Sequence, residues 1–127
     1  MIFGVGTDMV ELSRVERLWQ LYGEHFARRI LMPEELGLFS QSRQPVRFLA
    51  MRFAAKEAVV KALGTGFRYG IWVRDTGSVP DRRGRPLVLF SKRGRGVCND
   101  LGVTRVHVSL SDEAGMVLAF AVAETDE

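Results

Sequence analysis

Residues 48–66, FLAMRFAAKEAVVKALGTG, carry the longest uninterrupted helical pattern in the chain and constrain how everything else can pack. Pro45 stands where a first-turn proline is tolerated, and Gly64 offers a left-handed stop. The interior is rich in Ala and Leu and holds neither Gly nor Pro. At about 100° per residue, Met51, Ala55, Ala58, Val59 and Ala62 make one apolar stripe. Leu49, Phe53 and Val60 make a second on nearly the opposite side. Two narrow charged stripes run between them, Arg52 with Lys56 and Glu57 with Lys61. A surface helix has one apolar face and one broad polar face. This one is expected to be packed on two sides, leaving its charges in crevices where ionised groups need partners.

A chain of 127 residues can bury a core without staples, and residues 1–127 are expected to form one domain. Its single cysteine, Cys98, excludes an internal disulfide and fits a reducing compartment. No apolar run approaches the roughly 20 residues of a membrane span, and the opening MIFGVGTD has no basic region ahead of an apolar one. No membrane association and a cytoplasmic location are therefore expected. The net charge is +3, and Arg82, Arg83, Arg85, Lys92, Arg93, Arg95 and Arg105 gather in the last third. Such a cluster is either a solvated surface or a patch that draws anions: nucleic acid, phosphorylated small molecules or an acidic protein. A small RNA-binding module is one alternative. Residues 82–105 hold no aromatic pair to stack bases and no binding motif, so no nucleic-acid partner is expected.

Residues 2–7 read as a short strand whose Gly4 and Gly6 allow another backbone to come close, with Asp8 at its end. Ser13-Arg14-Val15-Glu16 has the form of a capping box, opening a helix that stops at Gly23. A short helical piece spans residues 26–31, and Pro33-Glu34-Glu35 starts another. Beyond Gly66 the period changes. Residues 71–79 are β-rich but interrupted over 75–78, residues 80–84 turn, and 86–90 form a strand. Residues 91–101 carry a helical pattern weakened by Gly94 and Gly96. Residues 105–111 and 116–124 pair as a hairpin about a turn at 112–115. Helices between a first strand and several later ones imply an α+β domain with an antiparallel sheet around a long central helix.

Glu57 and Lys61 stand at i and i+4 with the acid first, the favourable order for a helix ion pair. The same carboxylate is also suited to a hard cation, with the ammonium nearby for phosphate oxygens. Mg²⁺ binds through one or two carboxylates together with substrate phosphates, so a second acid is required. Asp8 is the candidate, and as a residue type at that position it serves equally as a turn or capping residue.

The segments GVGTDMVELSRVERL and RFAAKEAVVKALGTG together resemble the holo-acyl-carrier-protein synthase family, the small 4′-phosphopantetheinyl transferases. The family pattern pairs a Gly-x-Asp strand end and a following Arg with a Phe-x-x-Lys-Glu-Ala-x-x-Lys helix ending in Gly. It appears as Gly6-Thr7-Asp8 with Arg14, and as Phe53 to Lys61. Residues 26–31 (FARRIL), Gly84-Arg85-Pro86 and residues 106–111 extend the likeness over nearly the whole chain.

The resemblance implies the family fold and transfer of the 4′-phosphopantetheine arm of coenzyme A to a serine of apo-acyl carrier protein. Adenosine 3′,5′-bisphosphate would be released, in the service of fatty acid synthesis. It places Mg²⁺ on Asp8 and Glu57, and Lys61 on phosphate oxygens, with Glu57 and Lys61 the catalytic pair. It assigns coenzyme A contacts to Arg52, Lys61, Gly84 and Pro86. It docks the acidic carrier protein on Arg14, Leu18 and Phe26, with Tyr22 and Arg28 as neighbours. The serine proton could pass to Glu57 or to a water on the cation. Arg52 projects about 140° away from Glu57; a homotrimer with sites at subunit interfaces, as the family implies, would let it reach a neighbour's ligand. Many members carry a nucleotide-contacting His where this chain has Asp112-Glu113. Two acids beside a polyphosphate are unfavourable unless turned away or bridged. His107 is expected to be structural.

Overall fold

The computed structural model describes residues 1–126. The chain runs β1 (Ile2–Glu11), α1 (Leu12–Tyr22), α2 (Glu24–Ile30), α3 (Pro33–Phe39) and α4 (Pro45–Leu63). After a 3-10 turn (Val73–Asp75) come β2 (Thr76–Pro80), β3 (Pro86–Phe90), α5 (Lys92–Leu101), β4 (Arg105–Glu113) and β5 (Met116–Glu124). Two antiparallel sheets result, one of order β1-β5-β4 and the other the β2-β3 hairpin. No helix among the described residues is long and apolar enough to cross a membrane.

Helix α4 lies between the two sheets, as its paired stripes require. Leu49, Ala50, Ala54, Ala55, Ala58, Val59, Val60, Ala62 and Leu63 are all buried. On one side β1 rests directly on the helix backbone. A Cβ at Gly4 would collide with the Ala62 carbonyl oxygen. One at Gly6 would collide with the Ala58 carbonyl, and would lie 2.7 Å from the Ala62 nitrogen. Only glycine permits that approach. On the other side α4 meets β2 and α3 through charge: the Lys56 ammonium, fully buried, donates to Glu35 Oε1 at 2.6 Å and to the Thr76 carbonyl at 2.5 Å. The helix ends at Gly64, whose φ of 78° is the left-handed stop expected of it.

Several boundaries differ from the sequence-based expectation. The first strand continues to Glu11, so Asp8 lies within it, opposite Ala119, rather than at its end. Helix α1 begins at Leu12 with Glu11 as its cap and no side-chain cap bond. The Ser13 capping box does not form, because β1 runs straight into the helix and the Leu12 amide bonds the Gly115 carbonyl at 3.0 Å. Residues 76–78, read as an interruption, are the start of β2. The turn between β4 and β5 is only Ala114-Gly115, both at positive φ, so the strands reach further than expected. Helix α5 does form, capped by Ser91 Oγ accepting from the Gly94 amide at 3.0 Å.

Candidate active site

Strand β1 and helix α4 cross so that Asp8 and Glu57 line the same cleft, about 330 Å³ in volume. Its walls come from Met9, Val10 and Phe53, and from Arg14, Val15 and Leu18 on α1 with Phe26 on α2. Both expected metal ligands and all three expected carrier contacts, Arg14, Leu18 and Phe26, therefore share one concavity. Tyr22 and Arg28 are not among its lining residues; Arg28 sits 3.7 Å from Glu24 in an exposed pair.

Lys61 bonds differently from the spacing-based expectation. Its ammonium does not pair with Glu57 in a helix ion pair. It donates to the Thr7 carbonyl at 2.9 Å and reaches Asp8 Oδ1 at 3.3 Å, which anchors it to β1. The Lys61 side chain is half-exposed and that of Asp8 largely buried. Among the described residues, Glu57 has no direct cation. Burial and the nearby Asp8 charge raise its pKa, and Lys61 offsets this only partly.

Two carboxylates in one cleft, one carrying a charge that its surroundings compensate only in part, fit a hard divalent cation. No group of three or more His, Cys, Asp or Glu side chains that could hold a metal gathers among the described residues. A cation here would complete its shell with water and substrate oxygens.

The remaining expected contacts lie on another side of α4. Arg52, Gly84 and Pro86 line a second cleft of about 360 Å³, with Ser78, Arg85 and Ser109. The Arg52 guanidinium stacks 4.1 Å from the Phe48 ring centroid and donates from Nε to the Ser78 carbonyl at 3.0 Å. Burial lowers its pKa, and the Glu35 charge works against that shift. Lys61, expected to serve coenzyme A too, lines neither cleft and is tied instead to Asp8 of the first. A smaller cavity of about 210 Å³ shares Met51 and Arg52 with the second cleft and adds Arg43 and Arg47.

Asp112 is bridged. Arg47 clamps it through two bonds, Nε to Oδ2 at 2.7 Å and Nη2 to Oδ1 at 3.0 Å. This pairing holds the Asp112 carboxyl below its ordinary range. His107 faces Glu124 across the sheet at 2.5 Å and lines neither cleft. Part of the basic C-terminal cluster is also spoken for, with Arg93 on Asp75 at 2.9 Å and Arg85 at 3.5 Å from Asp81.

Sequence reasoning missed Glu35 as the partner of Lys56, Arg47 as the partner of Asp112, and Val10 and Val15 as walls of the first cleft. The confinement of the Arg52–Lys56 stripe was the available signal for the first of these. It demanded an acid without saying which one.

A family model described as the 4′-phosphopantetheinyl transferase superfamily matches residues 4–121. Holo-acyl-carrier-protein synthase of Nitrosospira multiformis is 46% identical over 124 residues, covering 98% of this chain and 99% of that protein. The crystal structure of the Neisseria meningitidis enzyme of that name superposes with a TM-score of 0.94 at 47% identity, over 98% of this chain and 100% of that one. A Bacillus anthracis holo-acyl-carrier-protein synthase, solved in complex with CoA (3′,5′-ADP), superposes with a TM-score of 0.81 at 32% identity, over 99% of both chains.

Proposed function

This chain belongs to the 4′-phosphopantetheinyl transferase superfamily, and from that membership we propose that it is a holo-acyl-carrier-protein synthase. It moves the 4′-phosphopantetheine arm of coenzyme A onto a serine of apo-acyl carrier protein. The observation that carries this reading is the single cleft in which Asp8 and Glu57 meet Arg14, Leu18 and Phe26. Two carboxylates suited to a cation on a pyrophosphate stand beside a basic and apolar wall suited to an acidic protein.

In the transfer, the serine oxygen attacks the β-phosphorus and the bond from phosphorus to the bridging oxygen breaks. The electron pair leaves on adenosine 3′,5′-bisphosphate, and the serine proton goes to a base in the cleft. Asp8 and Glu57 would hold Mg²⁺, which supplies compensation for the negative charge of the pyrophosphate. Lys61, fixed by the Thr7 carbonyl, presents the remaining N–H donors of its ammonium to phosphate oxygens. Because it is anchored beforehand, little reorganisation is needed as charge develops. Arg14 attracts the carrier protein, while Leu18 and Phe26 offer apolar contact beside the carboxylates. Arg52, Gly84 and Pro86 receive the nucleotide half of coenzyme A in the second cleft.

The two clefts serve one substrate if subunits associate, and a homotrimer is the assembly we infer. The outer face of the β1-β5-β4 sheet supports this, with Val5, Met9, Leu118 and Phe120 between 42% and 60% exposed. A neighbouring copy would cover that face and bring its second cleft to this chain's first. The setting is cytoplasmic fatty acid synthesis.

Mass spectrometry of apo-carrier protein incubated with coenzyme A tests the reading. A gain of one phosphopantetheine arm that depends on Mg²⁺ is expected. An unmodified carrier with the metal present overturns it.

A further inference from the structure

The transfer described above uses no group of α3, yet α3 carries Glu35, a fully buried carboxylate. Its Oε1 accepts from the Met32 amide at 2.9 Å and from Lys56 Nζ at 2.6 Å. Its Oε2 accepts from the Ser78 amide at 2.9 Å and lies 3.6 Å from Arg52 Nε. Strand β2 is opened to admit it: a Cβ at Gly77 would stand 2.7 Å from Glu35 Cδ. One carboxylate thus ties α3 and β2 to two successive turns of α4.

Burying an ion pair costs desolvation of both charges, and apolar residues of similar volume usually stabilise a fold as well or better. What the pair does supply is fixed geometry. Lys56 immediately precedes Glu57, so whatever holds the rotation of α4 at Lys56 holds it at Glu57, about 100° further round. Arg52 lies one turn earlier, and its guanidinium is set between Ser78, Phe48 and Glu35 at the wall of the second cleft. The same carboxylate therefore reaches a charged residue of each cleft.

We infer that Glu35 is a positioning residue for phosphopantetheine transfer, acting through Lys56 on the Glu57 carboxylate and through Arg52 on the coenzyme A cleft. This rests on the proposed function. Without the Glu35 charge, the buried Lys56 ammonium turns toward other acceptors and Arg52 loses its nearest counter-charge. Turnover and coenzyme A binding suffer together. Carrier binding does not, because among the described residues Arg14 and Leu18 on α1 and Phe26 on α2 share no hydrogen bond or ion pair with the network.

The test uses the full chain with Glu35→Gln, and with Glu35→Gln/Lys56→Met, which leaves neither charge buried and so guards against a variant that fails to fold. Steady-state transfer is measured against coenzyme A and against carrier protein, with coenzyme A affinity read separately by calorimetry. For both variants, kcat is expected to fall about tenfold and the KM and Kd for coenzyme A to rise about fivefold, with the KM for carrier within about twofold of wild type. In an Arg52→Ala background, Glu35→Gln should add nothing further to the coenzyme A Kd. A purely structural role would lower the active fraction, reducing kcat at unchanged KM values, and that result overturns the inference. So does wild-type kinetics in a folded double variant. Failure of wild-type protein to modify any carrier would instead overturn the proposed function, and the calorimetric comparison would still report whether Glu35 governs Arg52.

Discussion

Lys61 Nζ lies 3.3 Å from Asp8 Oδ1 and bonds the Thr7 carbonyl, passing over Glu57 one helical turn earlier. The arrangement joins the helix to the strand and, among the described residues, leaves Glu57 with no direct partner. Its raised pKa follows from burial first and from the Asp8 charge second. Glu57→Gln removes a charge that the fold holds at a cost, so the thermal midpoint should be unchanged or higher. Transfer should fall at least about 100-fold, the scale of losing a group that stabilises transition-state charge. Undiminished turnover at saturating Mg²⁺ would contradict the metal assignment.

Gly6, two residues before Asp8, is a point where β1 rests directly on the backbone of α4. A methyl group there meets backbone atoms of α4 as well as Lys61 Cβ, at 2.8 Å, and the backbone cannot swing aside. Gly6→Ala should therefore cost about 1–3 kcal/mol in urea unfolding, the usual range for overpacking. Because Asp8 lies two residues on in the same strand, transfer by the folded fraction should fall as well. A variant that loses stability but keeps wild-type kcat would show that the strand position is not critical to the site.

The two-sided packing of α4 could be read from the sequence because stripe geometry is local: 3.6-residue periodicity shows up within a single segment. The meeting of Asp8 and Glu57 had no such local signature and was expected only from paired motifs. Glu35 was harder still. An acid in the first turn after Pro33 reads as a partner for the helix dipole, and its burial is created by Lys56 and Ser78, 21 and 43 positions away. The Ser13 capping box failed for a related reason. A bond from Leu12 to Gly115 starts the helix early, and no residue near Ser13 encodes it. Gly77, a weak residue for a strand, sits in β2 because the Glu35 carboxylate occupies the space of a side chain.

Asp75 joins the turn before β2 to α5. Its carboxylate accepts from the Trp72 amide at 2.8 Å, Ser91 Oγ at 2.7 Å and Arg93 Nε at 3.0 Å. Burial pushes its pKa up, but these partners outweigh it and the net shift is downward. A depressed folded-state value means stabilisation that is fully present above the unfolded value of about 3.9. It is lost as pH falls through the folded-state value. Chemical denaturation between pH 7 and pH 2 should therefore show a flatter decline for Asp75→Asn than for wild type, together with lower stability at pH 7. Parallel profiles would exclude Asp75 as a source of the acid sensitivity.

Arg47 neutralises an acid that would otherwise stand free near the arginine-lined cavity. Arg47→Ala leaves Asp112 unpaired, so the coenzyme A KM should rise about fivefold or more. Arg47→Ala/Asp112→Ala removes the repulsive charge too and should recover part of that loss. Equal KM values in the single and double variants would mean that Asp112 does not face the nucleotide.

Arg14 shares its cleft with Asp8 and Glu57, so it can draw an acidic carrier protein only where its positive charge outreaches theirs. Lys61 on Asp8, and a cation when bound, reduce that competing negative field and leave Arg14 to steer the encounter. Arg14→Glu reverses the sign at the entrance. At low ionic strength the carrier KM should rise about tenfold or more, with the coenzyme A KM unchanged. Screening shortens to about 8 Å at physiological salt, so the gap between variant and wild type should narrow as salt is added. A carrier KM insensitive to both the substitution and the salt would move the docking surface away from α1.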